Sequence, residues 1–97
     1  MENKIKIFEK KQVRTIWNAD EEEWYFSVVD VVSVLTDNDY QPARKYWNKL
    51  RQRLAEEGSE LVTNCHRLKM RASDGKMRET DCLDTKGVLR LHALGAI

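Results

Sequence analysis

The sequence predicts an α+β domain, in which a small, mostly antiparallel sheet packs against about three helices. Near the N-terminus, Lys4–Phe8 begins with polar and apolar residues in alternation, and Val13–Trp17 is rich in β-branched residues, as strands commonly are. Apolar residues between positions 42 and 57 recur instead at helical spacing. Further along, Asp74-Gly75 separates two strand-like runs, and this dipeptide is among the strongest short-range signals for a β-hairpin.

The first two strands are expected to form a meander with a third short strand, Trp24–Phe26. The polar and acidic segment Asn18–Glu23 should form the exposed connection before that strand. Four consecutive carboxylates, Asp20 to Glu23, are interpreted as a solvated loop and not as a cation site, because the side chains of consecutive residues do not all point at one centre.

The segment Ser27–Thr36 carries opposing signals. Its five valines favour a strand by propensity. Asp30, Ser33 and Asp37, however, recur at intervals of three and four residues, which places them on one side of a helix and cannot fit strand alternation. Ser27 followed by Asp30 also fits a helix N-cap with an acid at the third helical position. We therefore predict a short helix here.

A second helix is predicted after the polar stretch Thr36–Gln41, with Pro42 at its first position and Gly58 as its stop. The apolar residues at helical spacing, which should face the core, are Ala43, Trp47, Leu50 and Leu54. The cations that occupy much of the remaining circumference are Arg44, Lys45, Lys49, Arg51 and Arg53.

The hairpin is predicted to consist of strands Leu61–Ala72 and Lys76–Leu83, joined at Ser73-Asp74-Gly75. Strand alternation separates two sets of side chains onto opposite faces: Leu68, Met70 and Ala72 on one, and Arg67, Lys69 and Arg71 on the other. The last helix is expected to be capped by Asp84 and to run through Val88, Leu89, Leu91 and Leu94.

Composition places the chain among globular proteins, since 41% of its residues are hydrophobic and 34% are charged. Its 97 residues fit a single domain with one modest core. The charged N-terminus lacks the apolar region of a signal peptide, and the longest apolar stretch, Trp24–Leu35, is interrupted by polar residues and too short to span a bilayer. We therefore expect a cytoplasmic protein without a membrane partner.

The two cysteines, Cys65 and Cys82, are too few for a disulfide framework and are expected to be reduced. Together with His66 and His92 they do not supply the paired short spacings of a zinc site, so no metal is expected. Neighbours along a strand point to opposite faces, and Cys65 and His66 should therefore not form a nucleophile and base pair.

The net charge of +1 hides an asymmetry along the chain. Residues 1–40 contain five Lys or Arg against nine Asp or Glu, whereas residues 41–80 contain ten against five. An acidic first part is thus joined to a basic middle, with net charges of −4 and +5. Such an asymmetry indicates an anionic partner for one face.

The ordered set of elements resembles the BRO-type N-terminal domain of phage antirepressors, over most of the chain from about Phe8 to Leu94. The segments that carry the similarity are WYFSVVDVVSVL, PARKYW, DGKMRETD and DTKGVLRL. The matching features are Phe26 with Asp30 and Val31, the helix start Pro42–Trp47, and Asp84 with Gly87 and Val88.

The resemblance implies a DNA-binding α+β domain at the head of a longer protein with a variable C-terminal part. This chain stops where relatives usually continue through further helices, and its apolar tail, Ala93–Ile97, is consistent with a chain cut short. The resemblance does not identify which residues contact nucleic acid, so the candidates must come from the residues themselves.

DNA binding has a physical basis in the cations of the hairpin and the second helix, because Lys and Arg presented together bind phosphates and a two-stranded ribbon fits the major groove. The candidate contact residues are Arg44, Lys45, Lys49, Arg51, Arg67, Lys69, Arg71, Lys76 and Arg78. On the alternation alone, a solvated sheet face whose cations discourage edge pairing is an equally good interpretation. The resemblance favours DNA.

The alternative is a protein-interaction module that binds a repressor or another regulatory protein, through the acidic residues Asp20–Glu23 or exposed parts of Trp17 and Trp24. An enzyme is not expected, because the sequence has no Gly-rich phosphate loop, no Gly-x-Ser-x-Gly elbow and no His-Glu-x-x-His motif. No catalytic residue and no cofactor are therefore assigned.

Overall fold

The computed structural model describes the backbone of residues 3–8 and the full residues 11–93. Five strands are present in this part of the chain: β1 (Asn3–Phe8), β2 (Lys11–Asn18), β3 (Glu23–Ser27), β4 (His66–Arg71) and β5 (Met77–Asp84). The helices in the same residues are α1 (Val28–Thr36), α2 (Tyr40–Glu56), α3 (Glu60–Thr63) and α4 (Thr85–Ala93). Leu94 and the rest of the predicted apolar tail lie outside the described residues.

The α+β prediction is confirmed. The strands form one sheet in the order β1-β2-β3-β5-β4, and each neighbouring pair is antiparallel. The first three strands form the predicted meander, and residues 19–22 form the exposed turn before β3. Within the described residues, every helix is too short or too polar to cross a lipid bilayer.

Helix α1 begins where the sequence predicts. The Ser27 side chain accepts a hydrogen bond from the Asp30 backbone N–H at 3.3 Å, which satisfies one of the unpaired donors of the first turn. The helix ends at Asp37, which has a left-handed backbone with φ of +53°. A short polar side chain tolerates this conformation better than most. The Ser27 N-cap and the Asp37 C-cap together account for where the valine-rich helix begins and ends.

The predicted start of α2 at Pro42 is wrong by two residues, because the helix begins at Tyr40 after Asp39. Its first hydrogen bond runs from the Ala43 backbone N–H to the Asp39 carbonyl oxygen at 3.1 Å. The backbone N–H groups of the first turn have no acceptor within the helix, so a proline at any position of that turn removes no hydrogen bond. The predicted end is confirmed by Gly58, which has φ of +73° just beyond the helix.

The predicted strand Leu61–Ala72 is wrong in its first part, since residues 60–63 form the short helix α3 and the strand starts at His66. The Ser59 side chain caps α3 by accepting from the Leu61 backbone N–H, and Leu61 is buried among the helices. Capping and burial here outweigh the strand propensity of the apolar run. The second strand is displaced by one residue from the predicted range, to Met77–Asp84.

The predicted hairpin at Asp74-Gly75 is confirmed. Gly75 has φ of +82°, and the Ala72 backbone N–H donates to the Lys76 carbonyl oxygen at 2.8 Å, which closes a three-residue loop. A glycine in the left-handed region at the end of such a loop is the usual solution for this hairpin length. Asp84 caps α4 as predicted, because its Oδ1 accepts from the Gly87 backbone N–H at 2.7 Å.

The buried residues form two clusters on opposite sides of the sheet. The larger lies between the sheet and the helices and consists of Val28, Val29, Val32, Ala43, Trp47, Leu50, Leu54, Leu61, Leu83 and Leu91. The smaller consists of Ile16, Tyr25, Met70 and Cys82. Strands β2 and β4 are not neighbours in the sheet, yet both contribute to the smaller cluster, so the sheet coils until the hairpin approaches β2.

The predicted inward face of α2 is confirmed, and Leu50 is only 4% exposed. Replacing Leu50 with Ala is expected to lower the free energy of unfolding by about 2–5 kcal/mol, because it leaves a cavity in a close-packed core. Urea denaturation of the parent and the variant measures this loss. Gln52→Ala, on the exposed side of the same helix, is the matched control, and equal midpoints for parent and Leu50→Ala would contradict the packing described here.

Candidate nucleic-acid interface

Helix α2 and the β4–β5 hairpin border a groove of about 250 Å³. The helix lines it with residues spaced by three and four positions, which therefore share one face: Tyr40, Arg44, Asn48 and Arg51. The hairpin contributes Arg67, Glu79 and Asp81. Arg67 and Asp81 lie directly opposite each other in the strand register, and Glu79 is two residues along on the same face.

Asp81 is the central side chain of this groove, and its carboxylate is only 10% exposed. The indole Nε1–H of Trp47 and the Nη1 of Arg51 both donate to its Oδ2 at 2.9 Å. Its Oδ1 lies 3.3 Å from the Nε of Arg67. These two hydrogen bonds and the ion pair with Arg67 compensate the carboxylate for its lost hydration, and they join α2 to both strands of the hairpin.

The predicted separation of the β4 side chains onto two faces is confirmed. Met70 is buried and Leu68 is half-buried, whereas Arg67, Lys69 and Arg71 are exposed. The cationic face is the one that meets α2, because Arg67 contacts the same carboxylate as Arg51. The stripe of cations and the basic helix therefore border one another.

The remaining predicted contact residues lie in different places. Lys45 and Lys49 are exposed on α2 but do not line the groove, and Lys76 is exposed beside the hairpin turn. Arg78 pairs with Met70 in the register, so it lies on the opposite face from the cationic stripe. Its guanidinium hydrogen-bonds to Asp74, which raises the pKa of Arg78 and lowers the pKa of Asp74.

Ion pairing divides the predicted contact residues into two groups. Arg51, Arg67 and Arg78 each have a carboxylate partner within the domain. The cations with no carboxylate partner in the described part of the chain are Arg44, Lys45, Lys49, Lys69, Arg71 and Lys76. Within the described residues these side chains form no ion pair and can contact an external anion, although Lys69 lies directly opposite Glu79 in the strand register.

A second ionic cluster lies next to the groove and is centred on Arg14 of β2. Its Nε and Nη2 donate to the two oxygens of Asp30 at 2.7 and 3.1 Å, and its backbone N–H donates to the same carboxylate at 3.0 Å. Its Nη1 donates to the Arg71 carbonyl oxygen at 3.1 Å, and its guanidinium lies 5.8 Å from the ring centroid of Tyr40. Arg14 thus connects β2, α1, β4 and α2.

Burial opposes charge on the Arg14 guanidinium, but hydrogen bonding to Asp30 and the attraction of its carboxylate raise the pKa of Arg14 above its ordinary value. Tyr40 contributes in the same direction to a smaller extent. The guanidinium is thus charged at any working pH. The Arg14 guanidinium, held by Asp30, lies against the ring of Tyr40, which lines the groove. The Arg14–Asp30 pair therefore supports this side of the candidate interface.

Cys65 and Cys82 are unpaired thiols, as predicted. Burial raises the pKa of Cys65 to about 11 and that of Cys82 to about 12, so both are protonated at neutral pH and weakly nucleophilic. The His66 ring packs edge-on against Tyr25, with ring centroids 5.1 Å apart. Among residues 11–93, no three His, Cys, Asp or Glu side chains are grouped so as to hold a metal ion.

The sequence-based prediction did not include Asp81, Tyr40 or Asn48. A signal for Asp81 was available, because a three-residue loop at Ser73–Gly75 fixes a register in which Arg67 faces Asp81. No sequence signal indicated that the indole of Trp47, predicted only as a core residue, would donate into the groove. That contact depends on how α2 lies across the sheet.

Trp17 and Trp24 form a cross-strand pair on β2 and β3, with ring centroids 5.2 Å apart. Both are half-buried, and neither belongs to the two core clusters. The turn that joins their strands carries the exposed acids Asp20, Glu21 and Glu22. This end of the sheet therefore presents aromatic and acidic groups, unlike the basic groove.

No protein-family model, curated protein or solved structure matches this chain. The similarity to a BRO-type N-terminal domain stays a prediction from the quoted motifs. Function must accordingly be inferred from the geometry and charge of the groove and of the surfaces beside it.

Proposed function

We propose that this chain is a DNA-binding regulatory domain of a phage antirepressor-like protein, which contacts the nucleic-acid backbone through α2 and the β4–β5 hairpin. The observation that carries the proposal is the placement of six cations, which have no carboxylate partner among the described residues, on α2 and on the hairpin that is joined to it through Asp81. A helix surface made soluble by ordinary charge mixing would intersperse acids among them, and the described part of α2 has none before Glu56.

The chemistry of this surface suits a phosphate backbone. Lys and Arg neutralise phosphates and release condensed counterions, and this sequence-independent contribution supplies much of the affinity of DNA-binding proteins. Lys69 and Arg71 project from an antiparallel ribbon with a tight turn at its tip, a shape that the major groove of B-DNA admits. Arg44, Lys45 and Lys49 then extend the positive surface along the neighbouring helix.

Several acids of the first part of the chain lie away from this surface. Asp30 is buried against Arg14, and the exposed acids at positions 20–22 belong to the turn between β2 and β3. Asp37 and Asp39 are exposed just before α2 begins. Glu79 is the exposed carboxylate in the groove itself, 4.0 Å from Arg67. The resemblance to phage antirepressor domains supports the same function.

A protein-interaction module is the second candidate, and the half-buried Trp17–Trp24 pair outside the core favours it. Tryptophans are enriched among residues that dominate binding energies at protein interfaces. A repressor or another regulatory protein with a basic, apolar patch would suit this aromatic and acidic end of the sheet.

Salt dependence distinguishes the two functions. For duplex DNA, log affinity should fall linearly with log salt concentration. The slope should be about −5 if each of the six cations that lack a carboxylate partner in the described residues contacts one phosphate. Fluorescence anisotropy of labelled duplex and single-stranded DNA, measured at a series of salt concentrations, gives this slope. Absence of DNA binding at low salt, or an affinity that salt does not change, would contradict the DNA-binding proposal.

A further inference from the structure

The groove between α2 and the hairpin is small for a drug-sized ligand, since typical small-molecule sites enclose roughly 300–1,000 Å³. Its volume of about 250 Å³ suits one compact group. Three guanidinium groups line it, from Arg44, Arg51 and Arg67, and Asn48 adds an amide. Arginine presents a planar fork of N–H donors that matches the oxygens of a phosphate, so the lining indicates a compact, oxygen-rich anion.

Asp81 restricts two of these guanidinium groups before any ligand arrives. It holds Arg51 at 2.9 Å and Arg67 at 3.3 Å, and the indole of Trp47 holds the carboxylate itself in place. Each guanidinium has five N–H donors, and these contacts use only part of them. The Arg51 and Arg67 side chains are 38% and 62% exposed, so their remaining donors are accessible to a ligand.

Arg44 is the lining guanidinium without a carboxylate partner in the described residues. Glu79 is the competing anion, but its contact with Arg67 is 4.0 Å long and both side chains are about 60% exposed, at 62% and 59%. Solvent screens such a pair strongly, and a phosphate oxygen can displace it at little cost.

We propose that this groove is a subsite for a single phosphate of the nucleic-acid backbone, an inference that rests on the proposed DNA-binding function and deepens it. Arg44 and Arg51 bind the phosphate from α2, Arg67 donates from the hairpin, and Asp81 is the positioning residue that orients Arg51 and Arg67. Cations outside the groove, such as Lys45 and Lys49, then contribute contacts of a less specific, electrostatic kind.

The indole N–H of Trp47 is a reporter for this subsite, because it donates directly to Asp81. In a ¹H–¹⁵N spectrum of the chain, inorganic phosphate added at constant ionic strength should shift the Trp47 indole signal. The change in chemical shift should saturate as the phosphate concentration rises. The indoles of Trp17 and Trp24 lie on β2 and β3 and serve as internal references. The Trp47 signal is assigned by its loss in Trp47→Phe.

Four substitutions then test the roles of individual residues. Arg44→Gln should weaken phosphate binding roughly 10- to 100-fold, the usual loss for one charge-assisted contact, while Arg53→Gln, on the same helix but outside the groove, should leave it within about twofold. Glu79→Gln should strengthen binding by removing the competing carboxylate. Asp81→Asn should weaken phosphate binding although it makes the groove more positive. If Asp81 acted only through its charge, the same substitution would strengthen phosphate binding, so the direction of the change tests the positioning role.

Three results would overturn the subsite: no saturable shift at Trp47, equal shifts of all three indoles, or the same affinity in Arg44→Gln and Arg53→Gln. Stronger phosphate binding by Asp81→Asn would overturn the positioning role. A DNA titration of the same variants separates this inference from the proposed function. Salt-dependent DNA binding that falls equally in Arg44→Gln and Arg53→Gln would remove the subsite and leave the proposed function. A phosphate shift specific to Trp47 without DNA binding would leave a phosphate site, but it would remove the DNA-binding function and with it the assignment of that site to a nucleic-acid backbone.

Discussion

Replacing Asp30 with alanine is expected to lower the free energy of unfolding by about 3–5 kcal/mol, the usual cost of removing one partner of a buried ion pair. The Asp30 side chain is 8% exposed and that of Arg14 is 18% exposed, so little water replaces the lost carboxylate. Three donors of Arg14, two from its guanidinium and one from its backbone, lose their acceptor at once. The destabilisation comes mainly from the uncompensated charge that remains.

Denaturation by urea measures this effect, and Glu60→Ala is its matched control. Glu60 also pairs with an arginine, Arg90, at 3.0 Å, but the two side chains are 78% and 47% exposed. Exposed pairs typically contribute 0–1 kcal/mol, so the control should lose less than about 1 kcal/mol. A loss no larger in Asp30→Ala than in Glu60→Ala would show that Arg14 and Asp30 are not a buried pair.

A double-mutant cycle isolates the pair itself. Arg14→Met removes the buried charge while keeping an apolar stem, and the double variant with Asp30→Ala should lose less than the sum of the two single variants. The expected coupling between contacting residues is about 0.5–3 kcal/mol. Additive losses would place the stabilisation in other contacts, such as the bond from Arg14 to the Arg71 carbonyl.

The second large effect is expected for DNA binding. Changing Arg44, Lys69 and Arg71 together to Gln should weaken duplex binding by roughly a hundredfold at physiological salt and reduce the magnitude of the salt slope by about three units. All three are exposed and none has a carboxylate partner in the described residues, so their loss should change stability little. Arg67 is kept, because its removal would also disturb Asp81.

A control variant with the same change in net charge separates local contact from overall charge. Arg53, Lys86 and Arg90 lie outside the groove and the hairpin, and their joint replacement by Gln should leave affinity within a few-fold of the parent. If both triple variants bind alike, the cationic stripe is a solvated face and the protein-interaction function is favoured. Melting curves of both variants confirm that they are folded.

Much of the fold follows from the sequence because the signals are local. The Ser27 cap, the inward face of α2 and the left-handed glycine of the hairpin each depend on residues within a few positions of one another. The alternation of Arg67, Lys69 and Arg71 likewise determines which face of β4 they occupy. The structure differs from the sequence predictions at Pro42, which is the third and not the first residue of its helix, and at Leu61, which lies in the separate helix α3 and not in a strand.

The site depended on tertiary structure instead. Which cations are neutralised is decided by pairs far apart in the chain: Arg51 meets Asp81 thirty residues away, and Arg14 meets Asp30 sixteen residues away. The sequence therefore determined which elements carry the positive charge, α2 and the β4–β5 hairpin, because composition and strand alternation are local properties. The hairpin register already places Arg67 opposite Asp81. Only the packing of α2 across the hairpin decided that Arg51 and Trp47 reach the same carboxylate, while Arg44 has no carboxylate partner in the described residues, because these contacts are set by distance in space and not by spacing along the chain.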